Sequence, residues 1–372
     1  MLAPYQLSVR TRTYFGSGCT EHALQKEQEL LGPRVLLVST GRSLRKHGYL
    51  DDLVRMIGAD VAVCDCISAN PDVTEIREAV KAGKEMHVSS VVGFGGGSAV
   101  DAAKAAAAGI VSEYDVGDFL SGQQPLPENP LPVIAVPTTA GTGAELTKGA
   151  IISDRERGIK GGIRGEQLIP AAAVVDPSYT ETLPLKVTLE SGFDVFAHAA
   201  ESYCAVKANP FSEMLSEKAV RITGAMLPRL CRSLKDTEAR EQMSFAAHIM
   251  GYNVNNVGNC LPHRLQYPVG AETDTSHGAG LAALYPAWLR HEETVQPERV
   301  GKLLEWLGCS GDEAPDVRIH HWLEMLGVSR TLTDLGIRSP AEELAGRVSG
   351  SLANDRLAGD PDVIRKIYEE SI

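Results

Sequence analysis

The chain has 372 residues, and its 36 Lys and Arg against 48 Asp and Glu give a formal net charge of −12 at pH 7. This length exceeds that of a usual single hydrophobic core and predicts two domains. A hydrophobic fraction of 43% excludes a mainly disordered chain. The acidic balance argues against a nucleic-acid-binding protein, because neutralising phosphates requires a dense basic surface.

The chain also lacks the patterns of membrane and secreted proteins. It has no run of about 18 apolar residues, and its first residues do not follow the pattern of a secretory signal. Seven cysteines are scattered along the sequence in odd number, which is typical of reduced thiols and not of a disulfide framework. We therefore expect a cytoplasmic protein without a nucleic-acid or membrane partner.

In chain order, the first half alternates short apolar runs with helical patterns. Helical spacing covers 73–86 and 98–110 between such runs. The predicted strands are 34–40, 59–65, 88–97, 131–139 and 171–177. Continuous apolar strands that alternate with helices predict a parallel sheet with helices on both faces.

From about residue 185 the strand-like runs disappear and helical spacing continues. The sequence therefore predicts two domains. The first is an α/β domain of residues 1–183 with a parallel sheet. The second is an all-helical domain of residues 184–372.

Two polar turns follow predicted strands in the first domain. GFGGGSAVDAAK (93–104) joins a strand to an Ala-rich helix, and PTTAGTGAE (137–145) follows the next strand. Glycines let the backbone approach a diphosphate, and a helix N-terminus offers free N–H groups. The spacing is not GxGxxG, so a tight turn without a ligand is the alternative.

One histidine stands out in the second domain. Asp194 and His198 are four residues apart, so that both face one side of a helix, as two ligands of one metal ion must. Alone, the pair is a weak signal that favours a hydrogen bond on a helix surface over a metal ion. His263 and His277 follow in the same helical half.

These features together resemble the iron-containing (group III) alcohol dehydrogenases. Their patterns GGGS-x-x-D-x-x-K and PTT-x-G-T-G-[ST]-E are similar to the two turns, and YFGSG (14–18) and NPDV (70–73) extend the resemblance. Their ligand set Asp-x-x-x-His…His…His-Gly matches Asp194, His198, His263 and His277. The resemblance implies a dehydroquinate synthase-like architecture, with residues 1–183 as an α/β dinucleotide-binding domain, residues 184–372 as an all-α domain that carries the metal and the catalytic residues, and a cleft between them.

The resemblance also implies which residues bind the cofactor. Glycines and a serine cradle the pyrophosphate, an Asp/Lys pair braces the turn and lines the cleft, threonines contact the phosphates and the nicotinamide side, and a lysine lies near the ribose. In that order, the residues here are Gly95, Gly96, Gly97 and Ser98; Asp101 and Lys104; Thr138, Thr139, Thr142 and Thr147; and Lys160.

The end of the first predicted strand bears on the choice between NAD and NADP. Many relatives carry an Asp there that accepts hydrogen bonds from the ribose and repels a 2′-phosphate. This chain has Gly41 at that position and Arg42 after it. Arg42 is suited to pair with a 2′-phosphate, which favours NADP(H), although an exposed loop arginine is the alternative.

By the same resemblance the metal is Fe(II), although Zn(II), Ni(II) and Mn(II) suit one carboxylate and three imidazoles almost as well. The implied activity is hydride transfer between C4 of the nicotinamide and a metal-bound short aldehyde or primary alcohol.

Relatives commonly carry a second histidine four residues after the third ligand. Here that residue is Tyr267, so that Tyr267, a water molecule or a ribose hydroxyl is left as the proton donor.

Two basic residues suggest a substrate with an anionic tail. Arg264 follows a metal ligand directly, and Lys148 lies near the second turn. They predict an aldehyde with a carboxylate or phosphonate, such as phosphonoacetaldehyde. Solvated loop charges or contacts to cofactor phosphates are the alternative. Relatives are typically homodimers or larger assemblies.

Other classes share this architecture. Dehydroquinate synthase-like lyases use NAD and a metal without net oxidation, but the motifs fit the dehydrogenases better. A non-catalytic nucleotide-binding protein and a metal-free reductase are further alternatives, although the residues matching the ligands are present.

Overall fold

The computed structural model describes residues 4–358 and 360–372, and the chain divides into two compact units. One unit is Val9–Thr182, and the other is Leu183–Ile372 with the N-terminal segment that ends at Ser8. The backbone N–H of Ser8 donates to the side chain of Asn256, whose amide donates back to the Ser8 carbonyl. The N-terminal segment therefore belongs with the second unit and not, as predicted, with the first.

A parallel sheet forms the centre of the first unit. Its strands are β1 (Arg12–Phe15), β2 (Arg34–Ser39), β3 (Asp60–Cys64), β4 (Ser90–Gly95), β5 (Val133–Pro137) and β8 (Ala172–Val175). They follow the order β1-β8-β5-β4-β2-β3, and every neighbouring pair is parallel. The predicted parallel sheet is confirmed.

Both faces of this sheet are covered. Val35 and Leu37 of β2 pack into one hydrophobic cluster, and Leu36 and Val38 pack into another on the opposite face. All four side chains are fully buried, which explains why the strand reads as a continuous apolar run. The helices of this unit are α1 (Thr20–Lys26), α2 (Gln28–Leu31), α3 (Arg42–Lys46), α4 (Tyr49–Ile57), α5 (Val73–Met86), α6 (Gly97–Ile110) and α7 (Val116–Leu120).

The sequence did not predict the edge strand β1 or a separate antiparallel hairpin, β6 (Gly149–Asp154) with β7 (Ile159–Arg164). The four residues of β1 are all at least partly exposed, and β7 reads IKGGIR with two glycines. Neither has the apolar run that marked the central strands, because neither is buried on both faces.

The described secondary structure of the second unit is α-helical, with connecting loops between the helices. Its helices are α8 (Leu185–Cys204), α9 (Pro210–Arg232), α10 (Thr237–Asn256), α11 (Leu261–Thr273), α12 (His277–Val295), α13 (Pro297–Leu307), α14 (Pro315–Leu326), α15 (Ala341–Gly346) and α16 (Pro361–Ser371). An aromatic cluster packs α8 against α12 and α14, with the rings of Phe193 and Tyr285 at 5.1 Å and those of Phe196 and Trp322 at 6.0 Å. Among the described residues, none of the helices has the length and apolar character needed to span a membrane.

The hairpin of the first unit is fastened to α6 by a buried ion pair. The Lys104 Nζ donates to the Thr147 hydroxyl at 3.0 Å and to the Gly149 carbonyl at 2.8 Å. The Asp101 carboxylate lies 3.5 Å from the Lys104 amine and accepts from the Ile151 backbone N–H at 2.9 Å. Lys104 is fully buried, so these contacts hold its amine inside the unit.

Replacing Lys104 by Met tests this brace. We expect Lys104→Met to lower the free energy of unfolding by about 3 kcal/mol, because the Asp101 carboxylate stays buried without its cation. The double variant with Asp101→Asn is expected to recover part of that loss in urea denaturation followed by circular dichroism. Additive losses in the double variant would contradict the pairing.

Candidate nucleotide turn and metal centre

The loops predicted to bind the nucleotide lie at the carboxyl ends of β2, β4 and β5. From β2 the chain continues to β3 on one side, whereas from β4 it continues to β5 on the other. Ligands of open parallel sheets bind where the strand order reverses in this way. The glycine turn follows β4 and the threonine-rich turn follows β5, its hydrogen-bonded neighbour.

The two turns fit against each other because glycines leave space. The Thr138 N–H donates to the Gly95 carbonyl at 2.8 Å. A Cβ on Gly96 would lie 3.3 Å from the Thr139 side chain, and one on Gly97 would lie 2.7 Å from that of Thr142. Gly97 opens the 14-residue helix α6, whose N-terminal N–H groups lack a side-chain cap. This cradle suits an anion such as a diphosphate.

The remaining residues predicted to contact the cofactor lie around this cradle. The Ser98 hydroxyl donates to the Ala69 carbonyl at 2.5 Å, and the Lys160 amine donates to the Asn70 side chain at 2.9 Å. Both residues therefore reach the loop after β3. Thr147 is buried and accepts from Lys104, so that its hydroxyl is engaged within the unit.

Gly41 has a conformational reason to be glycine. Its φ is +71°, and a Cβ at this position would lie 2.0 Å from the Asp65 backbone oxygen. The lack of an acidic side chain there is thus imposed by the backbone and is not by itself a sign of NADP. Arg42 opens α3, is exposed, and has no ion pair within the described residues.

The second unit builds its polar centre on α8. Asp194 and His198 lie four residues apart on this helix and are 2% and 4% exposed. Phe193 and Phe196 point to the aromatic cluster instead, so the helix separates an apolar face from a ligand face. An ionised carboxylate at this depth requires compensating charge.

The structure brings all four predicted metal ligands together. The Asp194 Oδ1 lies 3.8 Å from the Nε2 of His198, 3.5 Å from that of His263 and 3.8 Å from that of His277. Tetrahedral ligands, each about 2.1 Å from a shared ion, are separated by about 3.4 Å. Asp194, His263 and His277 form a group whose ligand atoms are all within 4.8 Å of one another, and the His198 ring stacks on His263 at 4.5 Å.

Buried polar atoms of this centre fit a cation. Among the described residues, neither the Asp194 Oδ1 nor the His263 Nε2 has a hydrogen-bond partner. Burial alone would lower the pKa of His263, but the carboxylates of Glu201 and Asp194 outweigh it and raise that pKa to about 9. Burial would raise the pKa of Asp194, yet His198 and the other imidazoles hold it well below its usual range. The negative charges that favour a proton on these imidazoles also favour a cation among them.

Glu201 is a functional residue that the sequence analysis missed. Its Oε1 accepts from the His263 Nδ1 at 2.6 Å and from the Tyr285 hydroxyl at 3.2 Å, while its Oε2 accepts from the Cys260 backbone N–H at 2.7 Å. With the proton on Nδ1, the Nε2 of His263 presents its lone pair to the centre. Glu201 lies three residues after His198 on α8, and this spacing was the available signal.

Gln266 is a second missed residue and does the same for His277. Its Oε1 lies 2.6 Å from the His277 Nδ1. Two glycines bring α12 close enough for this contact. A Cβ on Gly278 would lie 2.0 Å from the Glu190 carbonyl oxygen of α8, and one on Gly280 would lie 2.9 Å from the Gln266 Cγ of α11.

Tyr267 and Arg264 lie beside the centre on α11. The Tyr267 ring stacks on that of His277 at 6.5 Å, and the Arg264 guanidinium lies 5.7 Å from the Tyr267 ring. The Arg264 Nε is buried and has no hydrogen-bond partner in the described chain. Lys148, in contrast, is paired with Glu166 at 3.0 Å, so that its charge is already compensated.

Known proteins match this chain along almost its whole length. The family described as "Iron-containing alcohol dehydrogenase" matches residues 10–177, and the family described as "Fe-containing alcohol dehydrogenase family, C-terminal" matches residues 188–368. The probable alcohol dehydrogenase EutG of Salmonella typhimurium is 32% identical over 85% of this chain and 81% of its own length. The NAD-dependent methanol dehydrogenase of Bacillus methanolicus is 28% identical over 85% of this chain and 86% of its own.

A solved structure agrees with these sequence matches. The sulfoacetaldehyde reductase of Bifidobacterium kashiwanohense, in complex with NAD+, superposes with a TM-score of 0.90 at 25% identity over 99% of both chains. The resemblance stated from the motifs is therefore confirmed, together with the fold class. The chain belongs to the iron-containing alcohol dehydrogenase family.

Proposed function

We propose that this chain is a metal-dependent aldehyde reductase, which interconverts short aldehydes and primary alcohols with a nicotinamide cofactor. One observation carries the proposal: the buried Asp194 carboxylate faces three imidazole Nε2 atoms at 3.5 to 3.8 Å. The glycine cradle at the end of β4 supports the nucleotide part, since it presents the uncapped N-terminus of α6. The names of the relatives include alcohol dehydrogenases and an aldehyde reductase.

The four proposed ligands differ in charge. Asp194 supplies negative charge, and His198, His263 and His277 supply neutral donors from α8, α11 and α12. When bound, a divalent ion acts as a Lewis acid that stabilises negative charge on the substrate oxygen. Fe(II) follows from the family, although this donor set accepts Zn(II) almost equally. The His277 side chain is 34% exposed, whereas that of His263 is 3% exposed, so we place the substrate on the His277 side.

Tyr267 is the side chain that we propose to pass the proton. It takes the position of a histidine in relatives, and its ring stacks on His277. A phenol donates its proton to the alkoxide that forms when an aldehyde is reduced, and the resulting phenolate accepts a proton from an alcohol in the reverse direction.

For the cofactor we propose a preference for NADP(H), which depends on Arg42. The guanidinium is exposed at the end of β2, next to the reversal point of the sheet. A guanidinium at this position is suited to donate charge-assisted hydrogen bonds to a 2′-phosphate. Several relatives have NAD or NADH in their names or were solved with NAD+. The conformation of Gly41 already explains why no acidic side chain stands there, so the proposed preference depends on Arg42 alone.

For the substrate we propose an aldehyde with an anionic tail, such as phosphonoacetaldehyde. Arg264 directly follows the ligand His263, and no ion pair is found for it among the described residues. Its packing on Tyr267 places the guanidinium beside the proposed proton donor. The sulfoacetaldehyde reductase is named for an aldehyde whose tail is a sulfonate, which is an anion like a phosphonate. Because Lys148 is paired with Glu166, we give it an assisting role only.

We further propose a cytoplasmic location, supported by the free thiols of all seven cysteines. A homodimer or larger assembly stays a prediction.

The experiment that tests the proposed function follows NADPH loss in protein reconstituted with Fe(II) without oxygen. Stoichiometric oxidation of NADPH by an aldehyde supports the reductase. Turnover of a substrate without net cofactor change would support the lyase alternative instead.

Replacing Asp194 by Asn tests the metal centre. We expect kcat/KM to fall about 100-fold, equivalent to about 3 kcal/mol, because the ion loses its only anionic ligand. Metal content per chain, measured by elemental analysis, is expected to fall in parallel. His291→Asn is the matched control, since His291 lies in the same unit but contacts Glu370 at 3.2 Å. Full activity and metal content in Asp194→Asn would refute the centre.

Replacing Arg42 by Ala tests the cofactor preference. We expect KM for NADPH to rise about tenfold, because a charge-assisted hydrogen bond is lost, while KM for NADH stays unchanged. The control is Arg55→Ala, an exposed arginine of the same unit that pairs with Asp52. An equal rise for both cofactors, or none for NADPH, would show that Arg42 does not read the 2′-phosphate.

Replacing Arg264 by Leu tests the substrate class. We expect KM for phosphonoacetaldehyde to rise at least about tenfold, because the tail loses its cation, while a neutral short aldehyde is spared. Arg264→Lys is expected to retain part of the selectivity, since it keeps the charge but not the fork of donors. Equal effects on both aldehydes in steady-state assays would disprove the assignment.

A further inference from the structure

Two ligands of the centre are oriented by acceptors of different chemistry. The Nδ1 of His263 lies 2.6 Å from a carboxylate oxygen of Glu201, and the Nδ1 of His277 lies 2.6 Å from the amide oxygen of Gln266. Both acceptors are fully buried. The two histidines thus have equal geometry but unequal partners.

The partners differ in the tautomers that they support. An ionised carboxylate only accepts, so that Glu201 keeps the proton of His263 on Nδ1 and leaves Nε2 free to bind a metal ion. An amide both accepts and donates. When the Gln266 amide is rotated, its NH2 donates to Nδ1 of His277, and the imidazole proton moves to Nε2, 3.8 Å from the Asp194 Oδ1.

Nothing else in the described structure fixes the Gln266 amide. Its Nε2 is buried without a hydrogen-bond partner among the described residues. On the other side lies Gly280, where a Cβ would come within 3.1 Å of that nitrogen. The glycine therefore leaves the amide space, and the His277 Nδ1 is its only hydrogen-bond partner in this part of the chain.

We propose that Gln266 is a positioning residue that makes His277 the exchangeable ligand, through which the metal ion enters and leaves. Glu201 makes His263 the fixed ligand. The greater exposure of His277, 34% against 3% for His263, places the exchangeable ligand on the accessible side. This inference rests on the proposed metal centre but concerns the kinetics of the ion, which activity assays do not report.

The rate of metal release tests this inference. The full chain is loaded with Co(II), and loss of its visible absorption is followed after addition of excess EDTA. We expect Gln266→Glu to slow release about tenfold, because a carboxylate at 266 supports only the metal-binding tautomer. We expect Glu201→Gln to speed release by a similar factor, because His263 then gains the alternative tautomer.

Two further variants keep the test decisive. Gln242→Glu places a carboxylate at a half-buried glutamine of α10 in the same unit, which has no hydrogen bond to any of the four ligands in the described structure, and is expected to release Co(II) at the wild-type rate. If Gln266→Glu does not fold, as judged by thermal melting, Gln266→Leu decides. It lacks the acceptor, and release should be faster than in the wild type.

A folded Gln266→Glu variant that releases Co(II) as fast as the wild type would overturn the inference, as would an unchanged rate in Gln266→Leu. Equal slowing by Gln242→Glu would likewise overturn it. A wild-type chain that binds no Co(II) would instead remove the metal centre, and the proposed function with it.

Discussion

The helical unit depends on the burial of one carboxylate. Asp194 is 2% exposed, and an isolated charge at that depth is strongly unfavourable. Three imidazoles from three helices surround it, and a cation among them would neutralise it. The packing serves this arrangement, because Gly278 and Gly280 bring α12 against α8 and α11 where any larger residue would collide.

In the α/β unit the main feature is a stretch of backbone suited to bind an anion. An anionic cofactor needs N–H groups and space, and both come from the end of β4 and the first turn of α6. Behind this turn, the buried Lys104 fastens α6 to the hairpin that follows the threonine-rich turn. The chain thus offers a backbone cradle suited to an anion and a side-chain cluster suited to a metal ion, each supported by buried polar contacts inside its own unit.

The sequence predicted what local pattern determines. Each feature that was predicted lies within about a dozen consecutive residues. These features are the apolar runs of the central strands, the glycine turn and the Asp194/His198 pair. Glu201 and Gln266 were missed because their significance is a contact between helices, which spacing along one helix does not show. Similarly, the sequence does not show that Lys104 is buried, since a lysine is rarely fully buried in a folded protein.

The most direct test of this account is the ligand set of the bound ion. X-ray absorption spectroscopy on Co(II)-loaded chain reports the number of imidazole ligands and the presence of oxygen donors. The account predicts one ion per chain, bound by three imidazoles and at least one carboxylate oxygen. An ion with fewer than two imidazoles, or sulfur in its coordination sphere, would contradict the centre at Asp194.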